Sequence, residues 1–261
     1  AHYALIAQRQ LKQLLNRWSL DMCQEVDYVI APTPLVRSYL LSEGITTPIA
    51  VIPTGIRFEN YTRKPKGPRQ LALRQEYDIK KDQPLLLYVG RIAKEKNIAF
   101  LYESLKLLHD IRPDIITMFV GHGSQERKFR RKLRYSGCES STRWAGPQPQ
   151  HRLPEFYNSA DLFLFPSISD TQAIVLYEAL AGGLPIVAVD SMASKAVVKD
   201  GVCGYLTPST PRVFASKILQ CLEQKSQLKP ELDPKVYDAS ATSQQHLQLY
   251  ELLITGCSGK V

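Results

Sequence analysis

Pro84-Leu85-Leu86-Leu87-Tyr88-Val89-Gly90-Arg91-Ile92-Ala93-Lys94-Glu95-Lys96-Asn97-Ile98 is the stretch from which the fold can be read. Its first five apolar residues, Leu85–Val89, show no polar alternation and are too few for a buried helix. They read as a strand covered on both faces, as parallel strands are. Gly90 ends the run. Beyond Asn97, the residues Ile98, Leu101, Leu105 and Leu108 recur at steps of three and four, the period of a helix with one apolar face. Asn97 reads as its cap and Pro113 as its stop. The same alternation continues outward. Strands are expected at 27–31, 49–52, 115–120, 161–165 and 184–189, and Ile174, Leu176, Tyr177 and Leu180 line another helix face. A doubly wound α/β domain follows, and such sheets bind ligands at the carboxyl ends of their strands.

Composition sets the boundaries. The chain has 261 residues, 44% of them hydrophobic, enough for one large domain or one domain and part of another. The stretch 53–83 is rich in Pro, Gly, Lys and Arg, so residues 55–83 read as a linker. Ahead of it stand an amphipathic stretch (5–22) and one strand–helix–strand unit, and residues 1–54 read as the remnant of a first domain. Residues 84–238 read as a complete Rossmann-like domain. Residues 239–261 read as a closing helix, with Leu247, Leu249, Tyr250 and Leu253 on its apolar side.

No apolar run approaches the ~20 residues that span a bilayer. Five scattered cysteines, with no Cys-x-x-Cys pair, argue for a reducing compartment and against a structural metal; no metal site is expected. The expected location is therefore cytoplasmic. The net charge of +8 is partly local, with Arg127, Lys128, Arg130, Arg131, Lys132 and Arg134 crowded into one helical segment. That segment reads either as a solvated helix face or as a patch drawn to an anionic membrane, making the chain peripheral on the inner face. Nucleic acid is not expected, because no aromatic residues interleave with these charges.

Four patterns then follow in order, each just after an expected strand. Gly90-Arg91 with Lys96-Asn97 places two cations at a helix start, where amides and dipole favour a diphosphate. Read alone, they are also ordinary solvated charges. Gly121-His122-Gly123 lets backbone approach closely, and His122 reads as a turn residue. Phe165-Pro166-Ser167 leads through Ser169-Asp170-Thr171-Gln172-Ala173 into a helix carrying Glu178, eight positions after Asp170. Asp170 or Thr171 alone would pass for an N-cap. Glu178 is flanked by Tyr177 and Ala179, so it is expected to be half-buried and to need a partner. Gly182-Gly183 reads as a helix stop.

In this order the sequence resembles glycosyltransferase family 4, retaining enzymes of the GT-B fold. The resemblance rests on Asp27-Tyr28-Val29-Ile30-Ala31-Pro32-Thr33, Val51-Ile52-Pro53-Thr54-Gly55-Ile56, Val89-Gly90-Arg91 with Glu95-Lys96-Asn97, Leu153-Pro154-Glu155-Phe156-Tyr157, and Glu178-Ala179-Leu180-Ala181 before Gly183-Leu184-Pro185. It implies a donor, UDP-hexose above all, whose diphosphate is held by Arg91 and Lys96. Asp170, with the amides of Thr171, Gln172, Ala173 and Ile174, would face the sugar and phosphate, and Glu178 would bind the ribose. The 144–148 loop, with Gln148, would lie beside the base. No cofactor is implied beyond this donor substrate.

The chain departs from the family pattern at Asp170, where Glu is usual, and at Ala173, where Gly is usual. The family's catalytic histidine has no counterpart here and would lie upstream of this chain. His2-Tyr3 resembles the end of a segment found in diacylglycerol glucosyltransferases, which suggests a glycerolipid acceptor. The resemblance thus implies a hexosyltransferase; the alternative is a truncated or degenerate module that binds nucleotide-sugar without turnover.

Overall fold

The computed structural model of the chain describes residues 14–15, 17–61 and 68–257. His2, Tyr3 and the start of the 5–22 stretch lie outside them. The chain divides into two compact units, one holding the described residues up to Thr54 with those from Gln244 onward, the other running from Gly55 to Ser243.

The smaller unit has two strands, β1 (Val29–Ala31) and β2 (Ile49–Val51), paired in parallel. Between them α1 (Pro34–Ser42) is capped by Thr33, whose Oγ1 accepts from the Val36 amide at 3.1 Å.

The larger unit begins with two helices, α2 (Phe58–Tyr61) and α3 (Pro68–Glu76). Strands and helices then alternate: β3 (Leu85–Val89), α4 (Ile98–Ile111), β4 (Ile116–Val120), α5 (Glu126–Tyr135), β5 (Thr142–Gly146), α6 (Leu153–Ser159), β6 (Leu162–Phe165), α7 (Ile174–Ala181), β7 (Ile186–Val189), α8 (Met192–Val197), β8 (Gly204–Thr207) and α9 (Pro211–Glu223). α10 (Pro234–Tyr237) follows, and α11 (Ala239–Cys257) starts in this unit and from Gln244 onward belongs to the smaller one. The six strands form one sheet in the order β5-β4-β3-β6-β7-β8, and each neighbouring pair is parallel. The doubly wound parallel architecture read from the sequence is the one found.

Side-chain alternation along the strands divides the core. Leu85, Leu87, Met118 and Phe163 face α6 and α7, whereas Leu86, Tyr88, Phe119 and Leu164 face α4, α5 and α9. All eight are buried, each contributing roughly 1.5–3 kcal/mol where fully enclosed.

Three local expectations change. The edge strands β5 and β8 are absent from the sequence reading because neither is an apolar run: Thr142-Arg143-Trp144-Ala145-Gly146 is only partly buried, and Gly204-Tyr205-Leu206-Thr207 is short and mixed. Consequently Trp144, Ala145 and Gly146 are strand residues and not loop. Asn97 does precede α4, but its side chain makes no cap; the residue is left-handed (φ 56°), and its Nδ2 donates to the Pro166 carbonyl. The 55–83 stretch, basic and proline-rich in sequence, buries Tyr61, Leu73 and Ile79 against the sheet's core. Arg74 is buried there too, donating to the carbonyls of Ser159 and Gln83 and to the Asp161 carboxylate at 2.9 Å.

Candidate functional site

The strand order reverses between β3 and β6, whose following helices, α4 and α7, cover opposite faces. At such a switch point the two departing loops separate and leave a crevice at the carboxyl edge. Three bonds join those loops. Lys96 Nζ pairs with Asp170 Oδ1, Ser169 Oγ donates to the Glu95 carbonyl at 2.9 Å, and Asn97 Nδ2 donates to the Pro166 carbonyl at 3.1 Å.

Glycine makes the close approach possible. Gly121 has φ +124°, and a Cβ there would stand 2.1 Å from the Gly90 carbonyl oxygen. The Gly90 amide in turn donates to Val120, and the Ile92 amide donates to His122. His122 itself is exposed in the turn.

Lys96 and Asp170 are both largely enclosed, with side chains 20% and 17% exposed. The second carboxylate oxygen of Asp170, and the Ser167 hydroxyl, are buried with no hydrogen-bond partner among the described residues. Buried polar atoms are rarely left so, and such orphans point to a ligand or water. α7 begins immediately after Ala173; the Leu176 amide donates to the Ala173 carbonyl at 2.9 Å, whereas the amides of Ile174 and Val175 precede the first bond of the helix. Ala173 sits at φ −103°, in extended backbone, so replacing glycine by alanine there carries no left-handed strain. Thr171 and Ile174 are exposed beside it, and Gln172 is half-buried.

Arg91 lies at the rim. Its side chain is 70% exposed and pairs with Glu95 at 3.0 Å, while its carbonyl accepts from Tyr88 Oη at 2.7 Å. Burial raises the Tyr88 hydroxyl well above the usual phenol range, and the charges of Asp170 and Glu95 raise it further, with Arg91 opposing them.

Glu178, two turns into α7, is buried at 5% exposure. Its Oε1 accepts from Tyr61 Oη at 2.7 Å and its Oε2 from Tyr157 Oη at 2.6 Å. The partner that burial demands is thus a pair of tyrosines, 117 positions upstream in α2 and 21 upstream in α6. Both hydroxyls are pushed far up, first by burial and then by the Glu178 charge. A carboxylate has about four acceptor positions, so two remain.

Of the residues singled out from sequence, the structure brings Lys96 and Asp170 into contact at the start of α7, holds Arg91 at the rim and sets Glu178 in the helix beneath. The Gln148 side chain donates to the Ala145 carbonyl at 2.7 Å. Trp144 is not open for stacking, since it lies on Phe119 at 4.4 Å with Arg130 over its ring at 4.3 Å. Sequence reasoning missed Tyr61, Tyr157, Ser167 and Ser169. Tyr157, Ser167 and Ser169 lay within the quoted patterns, but nothing local gave the serines a role or marked Tyr157 as a partner of Glu178, and Tyr61 lay outside every pattern. Among the described residues, no cluster of His, Cys, Asp and Glu could hold a metal ion, and no helix is long and apolar enough to cross a membrane.

A parallel sheet in this order, with a cation and a helix start meeting at its switch point, defines a Rossmann-like domain with its ligand crevice at the carboxyl edge. The chain belongs to the glycosyl transferases group 1 family, whose model matches residues 70–236. It is 30% identical over 185 residues to a lipopolysaccharide 1,2-N-acetylglucosaminetransferase of Salmonella typhimurium, covering 68% of this chain and 48% of that one. It is 26% identical to an alpha-monoglucosyldiacylglycerol synthase of Streptococcus pneumoniae, covering 83% and 49%. The chain spans about half the length of these curated relatives. Among solved structures, Anabaena Alr3699/HepE in complex with UDP and glucose superposes with a TM-score of 0.80 at 19% identity, over 90% of this chain and 66% of that one. Pneumococcal O-GlcNAc transferase GtfA with UDP and GlcNAc superposes at 0.70. These likenesses establish the GT-B type of fold.

Proposed function

We propose that this chain is the donor-binding half of a retaining, family 4 type glycosyltransferase that moves a hexose from UDP-hexose to an acceptor, a membrane glycerolipid being the acceptor favoured. The observation that carries the reading is the Lys96–Asp170 pair at the switch point, with one Asp170 oxygen buried at the start of α7 and without a partner among the described residues. In this reading Lys96 exchanges its carboxylate partner for the donor diphosphate. Arg91, already exposed, swings from Glu95 to the same phosphates. The amides at 171–174 add the positive end of the helix, and together these groups stabilise the leaving diphosphate. Glu178, fixed by its tyrosines, takes the ribose hydroxyls with its remaining acceptor positions, and Gln148 lies on the base side.

The lipid acceptor is supported by the printed activity of the pneumococcal relative and by the exposure of Arg127, Lys128 and Arg131 on α5, which suits an anionic inner membrane face. The test is transfer of labelled hexose from UDP-hexose to diacylglycerol vesicles by the full chain, with the anomeric configuration of the product read by NMR. Retained configuration is expected. An inverted product, or a chain that neither binds UDP nor transfers, would end the reading.

A further inference from the structure

Outside the donor crevice, a groove of about 260 Å3 runs between the start of α4 and the side of α5. Lys94, Lys128 and Lys132 line it, with Ile98, Tyr102 and Phe129 beneath, and no carboxylate lies in its wall. Its size is near the lower end of the ~300–1,000 Å3 typical of small-molecule pockets.

Two of the basic residues of α5 have carboxylate partners. Arg130 is matched by Glu126 at 2.7 Å and stacked on Trp144, and Arg134 is matched by Glu139 at 2.7 Å. The three groove lysines have no carboxylate partner among the described residues. Lys132 is steadied only by the Tyr102 ring, 4.7 Å from its nitrogen. Three like charges converge on one concavity, and an anion would relieve their repulsion. Ammonium groups are compact point charges that suit a phosphate without imposing a planar fork. The ring of Tyr102 and the side chains of Ile98 and Phe129 add an apolar floor.

We propose that this groove is a second binding site, taking a phosphate group carried on a short aliphatic stem, with the phosphate among the three lysines and the stem on Tyr102 and Ile98. The site is independent of the donor reading. A free phosphate ester and a phospholipid headgroup share this chemistry.

The experiment titrates the full chain calorimetrically with inorganic phosphate and with glycerol 3-phosphate, and sediments it with vesicles of phosphatidylglycerol or of phosphatidylcholine. Binding is expected to weaken at least about fivefold in Lys128→Ala/Lys132→Ala, since charge-assisted bonds are the strong ones. It should hold within about twofold in Lys106→Ala, exposed on α4 and outside the groove lining. Lys94→Ala alone should weaken it as well, and serves if the double variant melts lower than the parent. Sedimentation with phosphatidylglycerol, displaced by glycerol 3-phosphate, identifies a lipid headgroup; soluble binding without sedimentation identifies a free ester. The proposal is overturned if neither probe binds, if the double variant binds them like the parent, or if Lys106→Ala loses as much.

Discussion

Replacing Tyr157 by Phe removes one oxygen and leaves the ring. Tyr157 is fully buried, and its hydroxyl donates to Glu178 Oε2 at 2.6 Å. The apolar area buried is unchanged, so the cost is electrostatic: a hydrogen bond to a charged group, worth about 1.5–3 kcal/mol. Oε2 then loses its hydroxyl donor inside the core, so the upper half of that range is expected. A domain of this size loses about 2–4 °C of melting temperature per kcal/mol, which gives a fall of roughly 3–12 °C. The assay is urea denaturation at pH 7 followed by far-UV circular dichroism, in a double-mutant cycle with Glu178→Met. Without the carboxylate, Tyr157→Phe should cost less than about 0.5 kcal/mol, leaving a coupling above 1 kcal/mol. An equal cost in both backgrounds, or no cost in the parent, would refute the claim that the tyrosine hydroxyls are the partners that hold the Glu178 side chain in the core.

Lys96→Ala should weaken UDP binding by about 1.5–3 kcal/mol, the range for a charge-assisted bond, and Arg91→Ala should weaken it less because that side chain is mostly exposed; unchanged affinity in both variants, by calorimetry, would remove the diphosphate site. Gly121→Ala should destabilise the fold by at least about 2 kcal/mol in the same urea assay, since both the positive φ and the Gly90 carbonyl oppose a methyl group. Burial alone would raise the Asp161 carboxyl, but Lys225, its hydrogen bond, the Leu85 amide and Arg74 outweigh burial and hold it below its ordinary value. Its contribution is therefore present above about pH 4 and lost as pH falls below that, and acid unfolding of Asp161→Asn should show a shallower pH dependence there. At the other end, Tyr61 and Tyr157 titrate above the usual phenol range when folded, so their contribution is complete below about pH 10 and is lost as pH rises beyond it. Alkaline unfolding should be less steep in Tyr157→Phe.

The interior of the sheet could be read from the sequence because β3, β4, β6 and β7 are buried on both faces and had to be apolar runs. Its edges could not, because β5 and β8 need apolar side chains on only part of their surface, and Thr142, Arg143 and Thr207 break the pattern. That Lys96 and Asp170 belong to one crevice was implied only by the family resemblance, and their direct pairing was not foreseen. The tyrosine clamp on Glu178 was out of reach. Tyr61 comes from a segment that composition marks as a linker, and no local period links it to a helix 117 residues away. Arg74 was hidden for the same reason: a buried arginine satisfied by carbonyls looks, in sequence, like one more solvated cation. Ala173 shows the reverse case, where a departure from the family's glycine carries no strain because the backbone there is extended.

The central claim is that the crevice between the ends of β3 and β6 binds a nucleoside diphosphate through its phosphates. Calorimetric titration of the full chain with UDP, repeated with uridine, tests this most directly. The account predicts saturable one-to-one binding of UDP and binding of uridine at least about tenfold weaker, because a factor of ten is only ~1.4 kcal/mol, less than one charge-assisted bond supplies. Equal affinity for the two, or no binding of UDP, would contradict it.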